Sequence, residues 1–264
     1  MRTDQIALQL YTLRRLLADD LPGTLRLVAD AGYRAVELAG LPPVEPADLV
    51  GMLADLGLKP VASHEPLERL RADPDAVLAR LEILGCQRAV VPSLPDADRL
   101  TPDAVRAAAL ELGRVAERLA QAGIRLAYHN HSFEFEALET TTVWDLLGET
   151  LPPTVDLEID VYWASVGAMD PAALIAGAPR SVRLLHMKDR VDDPQPQDVP
   201  PGSGVLPWAA IVAAGRAAGV EWYVVEQDEP HDPIANITSA YSYLRGLASD
   251  NQSDTAAGAV GGAF

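Results

Sequence analysis

Five times in this chain a glycine stands where a helical apolar pattern gives way to a short β-like run: Ala31-Gly32-Tyr33, Leu56-Gly57-Leu58, Leu84-Gly85-Cys86, Ala122-Gly123-Ile124 and Ala218-Gly219-Val220. A helix often closes on a residue in the left-handed region, which glycine enters without steric cost. A sequence that repeats helix, glycine and strand in this way is a chain of βα units. Two architectures satisfy that pattern, an open doubly wound sheet and a closed barrel.

Eight β-like runs can be read, at 6–11, 35–38, 60–64, 88–91, 125–130, 156–160, 183–186 and 222–226. Between them lie stretches with helical apolar spacing, such as Val105-Ala108-Leu112-Val115-Leu119. Thr101-Pro102 and Asp170-Pro171 have the form of a helix N-cap followed by proline at the first helical position. No Gly-x-Gly-x-x-Gly or phosphate-loop pattern follows the first run, which counts against the open sheet. The length of 264 residues suits a barrel of about 250. The reading is an α/β fold, a single (β/α)8 barrel over residues 1–248. Residues 249–264, polar and then rich in Ala and Gly, read as a disordered tail.

Composition removes several function classes. A net charge of −17 argues against nucleic acid, whose phosphates need clustered Lys and Arg. Cys86 is the only cysteine, so neither an intrachain disulfide nor a cysteine-based zinc site is available. No apolar run approaches the roughly 18 residues that span a membrane, and Met1-Arg-Thr-Asp-Gln5 does not read as a leader. The expectation is a cytoplasmic protein with a small-molecule partner; a homo-oligomer is compatible with it.

Chemistry gathers at the ends of the β-like runs. His64, Asp160, His186 and Glu226 each close one, and His129 and His131 close another. A parallel barrel brings all strand C-termini to one face, and that face carries the active site. Asp160, His186 and Glu226 form a mixed N/O set suited to Mn²⁺, Mg²⁺, Co²⁺ or Zn²⁺. Period-two alternation puts His129 on the same side as the small Ala127, facing the axis, as the fourth expected ligand. The longest irregular stretch, 190–207, follows the seventh run and is expected to cover the site as a loop.

These residues resemble the xylose-isomerase-like TIM-barrel superfamily of sugar phosphate isomerases and epimerases, which also includes inosose dehydratase and endonuclease IV relatives. The resemblance spans about 6–247. It rests on Gln9-Leu-Tyr-Thr-Leu-Arg14, Gly32-Tyr-Arg-Ala-Val-Glu-Leu38, Ser63-His64 and Tyr128-His-Asn-His-Ser-Phe-Glu-Phe135. Asp160-Val-Tyr-Trp163, His186-Met-Lys-Asp189, Gly202-Ser-Gly204 with Trp208, and Glu226 complete it. It implies a Glu-Asp-His-Glu metal set on strands five to eight, with His129 replacing the strand-five glutamate or Glu134 supplying the missing carboxylate if its loop curls inward. The His-x-His pattern looks more like the inosose dehydratase branch. The endonuclease branch fits poorly, since it needs more metal ligands and a DNA-binding surface.

The resemblance implies a divalent-metal-dependent isomerase or epimerase of a sugar or keto-sugar, acting through an enediolate. A dehydratase of keto-sugars and a non-catalytic sugar-binding barrel are the alternatives. Glu226 is the expected base, with His131 or Glu134 as the second acid/base group. Lys188 is expected on a substrate oxygen, or else in a surface ion pair with Asp189. His64 is expected on a sugar hydroxyl, or else in a structural hydrogen bond. Trp163 and Trp208 are candidates for a pocket wall, with Tyr11 and Arg14 as weaker site candidates.

Overall fold

The computed structural model describes residues 1–192 and 194–257, with side chains to Ala248. Eight parallel strands close into a barrel. They are β1 (Ile6–Gln9), β2 (Ala35–Leu38), β3 (Lys59–His64), β4 (Arg88–Val91), β5 (Arg125–His129), β6 (Val155–Asp160), β7 (Val182–Met187) and β8 (Trp222–Val225). Each strand pairs with its sequence neighbour, and β8 returns to β1 through Ile6–Tyr223, Ala7–Val224 and Leu8–Val225. All eight expected strands are present, with ends shifted by at most two residues. The five joint glycines all have positive φ, Gly85 at 62° among them.

Helices pack outside the barrel with caps of the expected kind. The Thr101 side chain accepts from the Ala104 amide at the start of Pro102–Ala120, and Asp170 accepts from the Ala172 and Ala173 amides at Pro171–Ala176. The last helix, Pro233–Ala257, includes the start of the expected tail; residues 258–264 lie outside the described residues.

Alternation along the strands divides the core in two. Outward residues such as Leu126, Tyr128, Leu157 and Ile159 join the large apolar cluster beneath the helices. Each such side chain, fully buried, contributes roughly 1.5–3 kcal/mol. Inward residues are small, and Ala7, Ala35, Ala62, Val90, Ala127, Leu184 and Val224 pack on the axis. One inward step further along the same strands come Gln9, Glu37, His64, His129, His186 and Glu226. The axial layer of small side chains is therefore the floor on which a polar layer stands.

The segment 190–207 is not irregular throughout. Asp189–Asp192 pairs antiparallel with Pro196–Val199 in a hairpin, while Asp193 lies outside the described residues. The Asp189 carboxylate accepts from the amides of Arg190, Gly202, Gly204 and Leu206 and from the Trp208 indole N–H, at 2.7–3.0 Å. Sequence reading missed the hairpin because its Asp, Pro and Gly content reads as loop, while one buried carboxylate organises the turn that follows it.

Candidate active site

The polar layer sits at the C-terminal mouth of the barrel and opens into a cavity of about 430 Å³ whose lining includes His64, His129, His131, Lys188, Glu226 and Asp228. A wider depression of about 1040 Å³ lies at the opposite end, where Arg125 and Glu221 line it. Two of its arginines are committed: Arg125 grips Asp156 through two bonds of 2.8 and 2.7 Å, and Arg88 lies 3.1 Å from Glu221. Chemistry therefore belongs to the smaller cavity.

His186 is the hub. Its Nδ1 lies 2.8 Å from Glu226 Oε2, and its Nε2 lies 2.8 Å from Glu37 Oε2 and 3.2 Å from Glu158 Oε2. Glu158 Oε2 also lies 2.9 Å from His64 Nε2 and 3.1 Å from His129 Nδ1. Gln9 donates to Glu37 Oε2 at 3.0 Å. Lys188 Nζ stands among Glu226, Asp228 and Asp160, at 2.7, 2.9 and 3.1 Å. Asp160 has a second task, accepting from the Trp163 amide to cap the short helix Val161–Val166.

Burial and charge set the protonation of this cluster. Burial alone would lower His186, but Glu158, Glu226 and Glu37 outweigh it and raise it well above the usual imidazole range. Burial would raise Glu226, yet Lys188 and His186 hold it well below the usual carboxylate range. Glu158 is held low against burial by His186 and by its histidine hydrogen bonds. Burial, reinforced by Glu158, raises Glu37. Burial, together with Lys188, lowers His131 to about 4, so it is neutral near pH 7. Burial lifts Asp160 to about 6 against the pull of Lys188 and His186.

A divalent cation fits this donor set. Glu37, Glu158, Asp160, Glu226 and Asp228 converge on one mouth, and among the described residues Lys188 is the one permanent cation paired with any of them. Glu37 Oε1 and Glu158 Oε1 are buried and make no hydrogen bond, and Asp160 Oδ2, also without one, has the Lys188 ammonium 3.1 Å away. Buried carboxylates without enough positive charge are costly, and a bound ion relieves that cost. Two groups bring ligand atoms within 4.8 Å of one another: His64, His129, Glu158 and His186, and Asp160, His186 and Glu226.

The geometry corrects several expectations. His129 does face the axis, but its nearer carboxylate is Glu158 at 3.1 Å, with Asp160 at 4.0 Å. The four expected metal ligands thus divide between two groups that share His186. Glu134 turns away from the cavity, because its carboxylate accepts from the Tyr128 hydroxyl at 2.7 Å and from the His131 amide at 2.8 Å. Its place in an acid/base pair is not supported. Trp163 does not line the cavity; it packs behind His131 and Lys188, with each 5.6 Å from its ring centre. Trp208 is buried and bound to Asp189, so it walls nothing. Lys188 pairs with Asp160, Glu226 and Asp228, not with Asp189. Among the described residues of 190–207 none lines the cavity; the segment docks beside it, where Asp198 accepts from the Asp228 amide at 2.6 Å. Tyr11 lines the cavity, and Arg14 stacks on its ring at 4.2 Å while donating to the Asp228 carbonyl.

Sequence reading missed Glu37, Glu158 and Asp228 as members of the site. The signal was available: each lies two residues along its chain from an inward residue, Ala35, Asp160 and Glu226 respectively.

Residues 25–247 match the sequence profile of the xylose isomerase-like TIM barrel. The chain belongs to that family. Two solved structures of a sugar phosphate isomerase/epimerase from Parabacteroides distasonis are similar, at 26% identity. Their TM-scores are 0.78 and 0.79, over 91% and 90% of this chain and 93% and 96% of theirs. A structure of the IolI protein with a bound zinc atom shares the fold at 15% identity and a TM-score of 0.74, over 93% of this chain and 98% of its own. No curated protein matches the sequence closely enough to count as a relative. Among the described residues no helix is long and apolar enough to cross a membrane.

Proposed function

We propose that this family member is a divalent-metal-dependent isomerase or epimerase of a sugar or keto-sugar. The observation that carries the reading is the excess of buried carboxylate around His186, at the mouth of a cavity sized for a small polyol. The likeness to sugar phosphate isomerase/epimerases and to a zinc-bearing fold relative supports it.

The imidazoles and carboxylates around His186 would hold the ion. When bound, such an ion polarises adjacent substrate oxygens and offsets the charge of an enediolate. The chain's own groups do the rest. Glu226 is ionised and reaches the cavity, so it is the group to take a proton from the carbon next to a substrate carbonyl. His131, neutral and also on the cavity wall, is the partner that returns or relays it. Lys188 holds Glu226 and Asp160 in place and presents a positive charge to a developing oxyanion. His64, at the rim, is placed to bind a hydroxyl.

A keto-sugar dehydratase shares the first proton removal, and the histidine at position 129, where isomerases of this type are expected to carry glutamate, favours keeping it as a second reading. Metal analysis coupled to a mass-spectrometric screen of ketoses, keto-inositols and 3-keto-glycosides separates the two. Product of unchanged mass and new stereochemistry or carbonyl position supports the isomerase; loss of one water supports the dehydratase. A metal-replete protein that alters none of them contradicts both.

A further inference from the structure

We propose that the N-terminal end of the barrel, opposite the catalytic mouth, binds a small organic anion, held by Arg88, Lys59 and Arg216 and packed against Trp222. The site is independent of the ion proposed above and takes no part in the chemistry.

The alternation that builds the catalytic mouth also builds a second polar layer. One inward step below the small axial residues Ala7, Val61, Val90, Ala127 and Val224 come Gln5, Lys59, Arg88, Arg125 and Trp222. All five line the depression of about 1040 Å³. Small-molecule sites commonly reach about 1,000 Å³, so the space suits a metabolite better than a bare ion.

The lining is cationic in a chain of net charge −17. Arg2 and Asp4 pair with each other at 3.0 Å. The remaining cations are Lys59, Arg88, Arg125 and Arg216, and the carboxylates that face them are Glu221 at the rim and Asp156 buried behind it. Arg183, 3.8 Å from Glu221 and 4.0 Å from Asp156, adds a further positive charge beside them. A concave surface of one sign concentrates ligands of the other.

The commitment of Arg88 is partial. Arg125 takes both oxygens of Asp156, which leaves Arg88 3.9 Å from that carboxylate. Among the described residues the one hydrogen bond of the Arg88 guanidinium goes to Glu221, whose side chain is 46% exposed. The Arg88 side chain is itself only 8% exposed, and its Nε is buried with no acceptor. An unpaired buried guanidinium N–H is costly, and the planar fork matches a phosphate or carboxylate. Lys59 and Arg216 have no ion pair among the described residues. The Lys59 ammonium lies 6.0 Å from the centre of the Trp222 ring, so a charge stands beside a flat apolar wall. A phosphate ester of a small polyol and a small dicarboxylate share the matching chemistry: an oxyanion for the arginine and a carbon skeleton for the ring.

Isothermal titration of the full-length protein with glucose 6-phosphate, succinate and inorganic phosphate tests this. One molecule of glucose 6-phosphate or succinate per chain is expected, and the tighter of the two names the oxyanion class. Added salt should weaken it. Arg88→Gln should weaken that binding by roughly 30-fold or more. Lys59→Gln combined with Arg216→Gln, both at exposed positions, should weaken it by roughly 10-fold and keeps the test open if Arg88→Gln does not fold. His64→Ala, at the catalytic mouth, should leave it unchanged. Binding that survives the double substitution and falls in His64→Ala belongs to the catalytic mouth and would overturn the proposal, as would no binding of either organic anion at millimolar concentration. Inorganic phosphate bound as tightly as both organic anions would overturn the role given to Trp222.

Discussion

Lys188 places its ammonium 2.7 Å from the Glu226 carboxylate, with both side chains inside the barrel mouth. Asp160 and Asp228 complete its surroundings. Removing one partner of a buried ion pair leaves an uncompensated charge, at a cost of about 3–5 kcal/mol. Lys188→Met should therefore lower stability to denaturant by an amount in that range and abolish turnover. Unaltered stability would show that the carboxylates are neutralised by another route.

Glu226→Gln keeps the shape of the side chain and removes its charge and basic lone pair. Turnover should fall by roughly 10²–10⁴-fold, the usual cost of losing a general base. Divalent-metal affinity should fall only modestly by comparison, since an amide oxygen remains at that position. Equal losses of turnover and metal would make Glu226 a ligand first.

Much of this site was legible in the sequence, and the reason is the barrel itself. Helix-closing glycines and eight short β-like runs define the fold, and strand-end positions bring His64, His129, Asp160, His186 and Glu226 together. What escaped was depth. Glu37 and Glu158 lie within strands, where a charged residue in a short run reads as solvent-facing; in a closed barrel the inward face is the interior. Glu134 escaped for the opposite reason. Its place in a conspicuous motif suggested chemistry, but Tyr128 points outward under the helices and holds it there. Long-range contacts of that kind leave no local signature.

The buried Glu134 carboxyl makes a pH prediction with a definite sign. Burial raises it to about 7 from an ordinary 4.5, against the hydrogen bonds from Tyr128 and His131. A group whose folded value is raised stabilises the fold at low pH, and that contribution is lost as pH rises through about 7. The shift corresponds to at most about 3 kcal/mol. Glu134→Gln should flatten the fall in stability between pH 5 and pH 8, measured by urea denaturation at each pH. An unchanged slope would assign it to other groups.

Asp189 gives a prediction for the segment after β7. Asp189→Ala strands the Trp208 indole N–H and the amides of Gly202, Gly204 and Leu206. The buried indole donor costs about 1–3 kcal/mol when unpaired, and the part-buried amides, which water can reach, cost less. Stability should drop by about 1–3 kcal/mol or somewhat more, and amide exchange should rise across 200–206 before it rises in the barrel strands. Uniform exchange throughout would mean that this carboxylate does not organise the segment.

Deuterium uptake from solvent tests the central claim most directly. Metal-loaded protein is incubated in D2O with the keto-sugar panel, with and without chelator, and substrate mass is followed. The account predicts deuterium at the carbon next to the carbonyl of at least one compound, lost on chelation and restored by a divalent ion. No uptake with metal bound, or uptake indifferent to chelation, would contradict it.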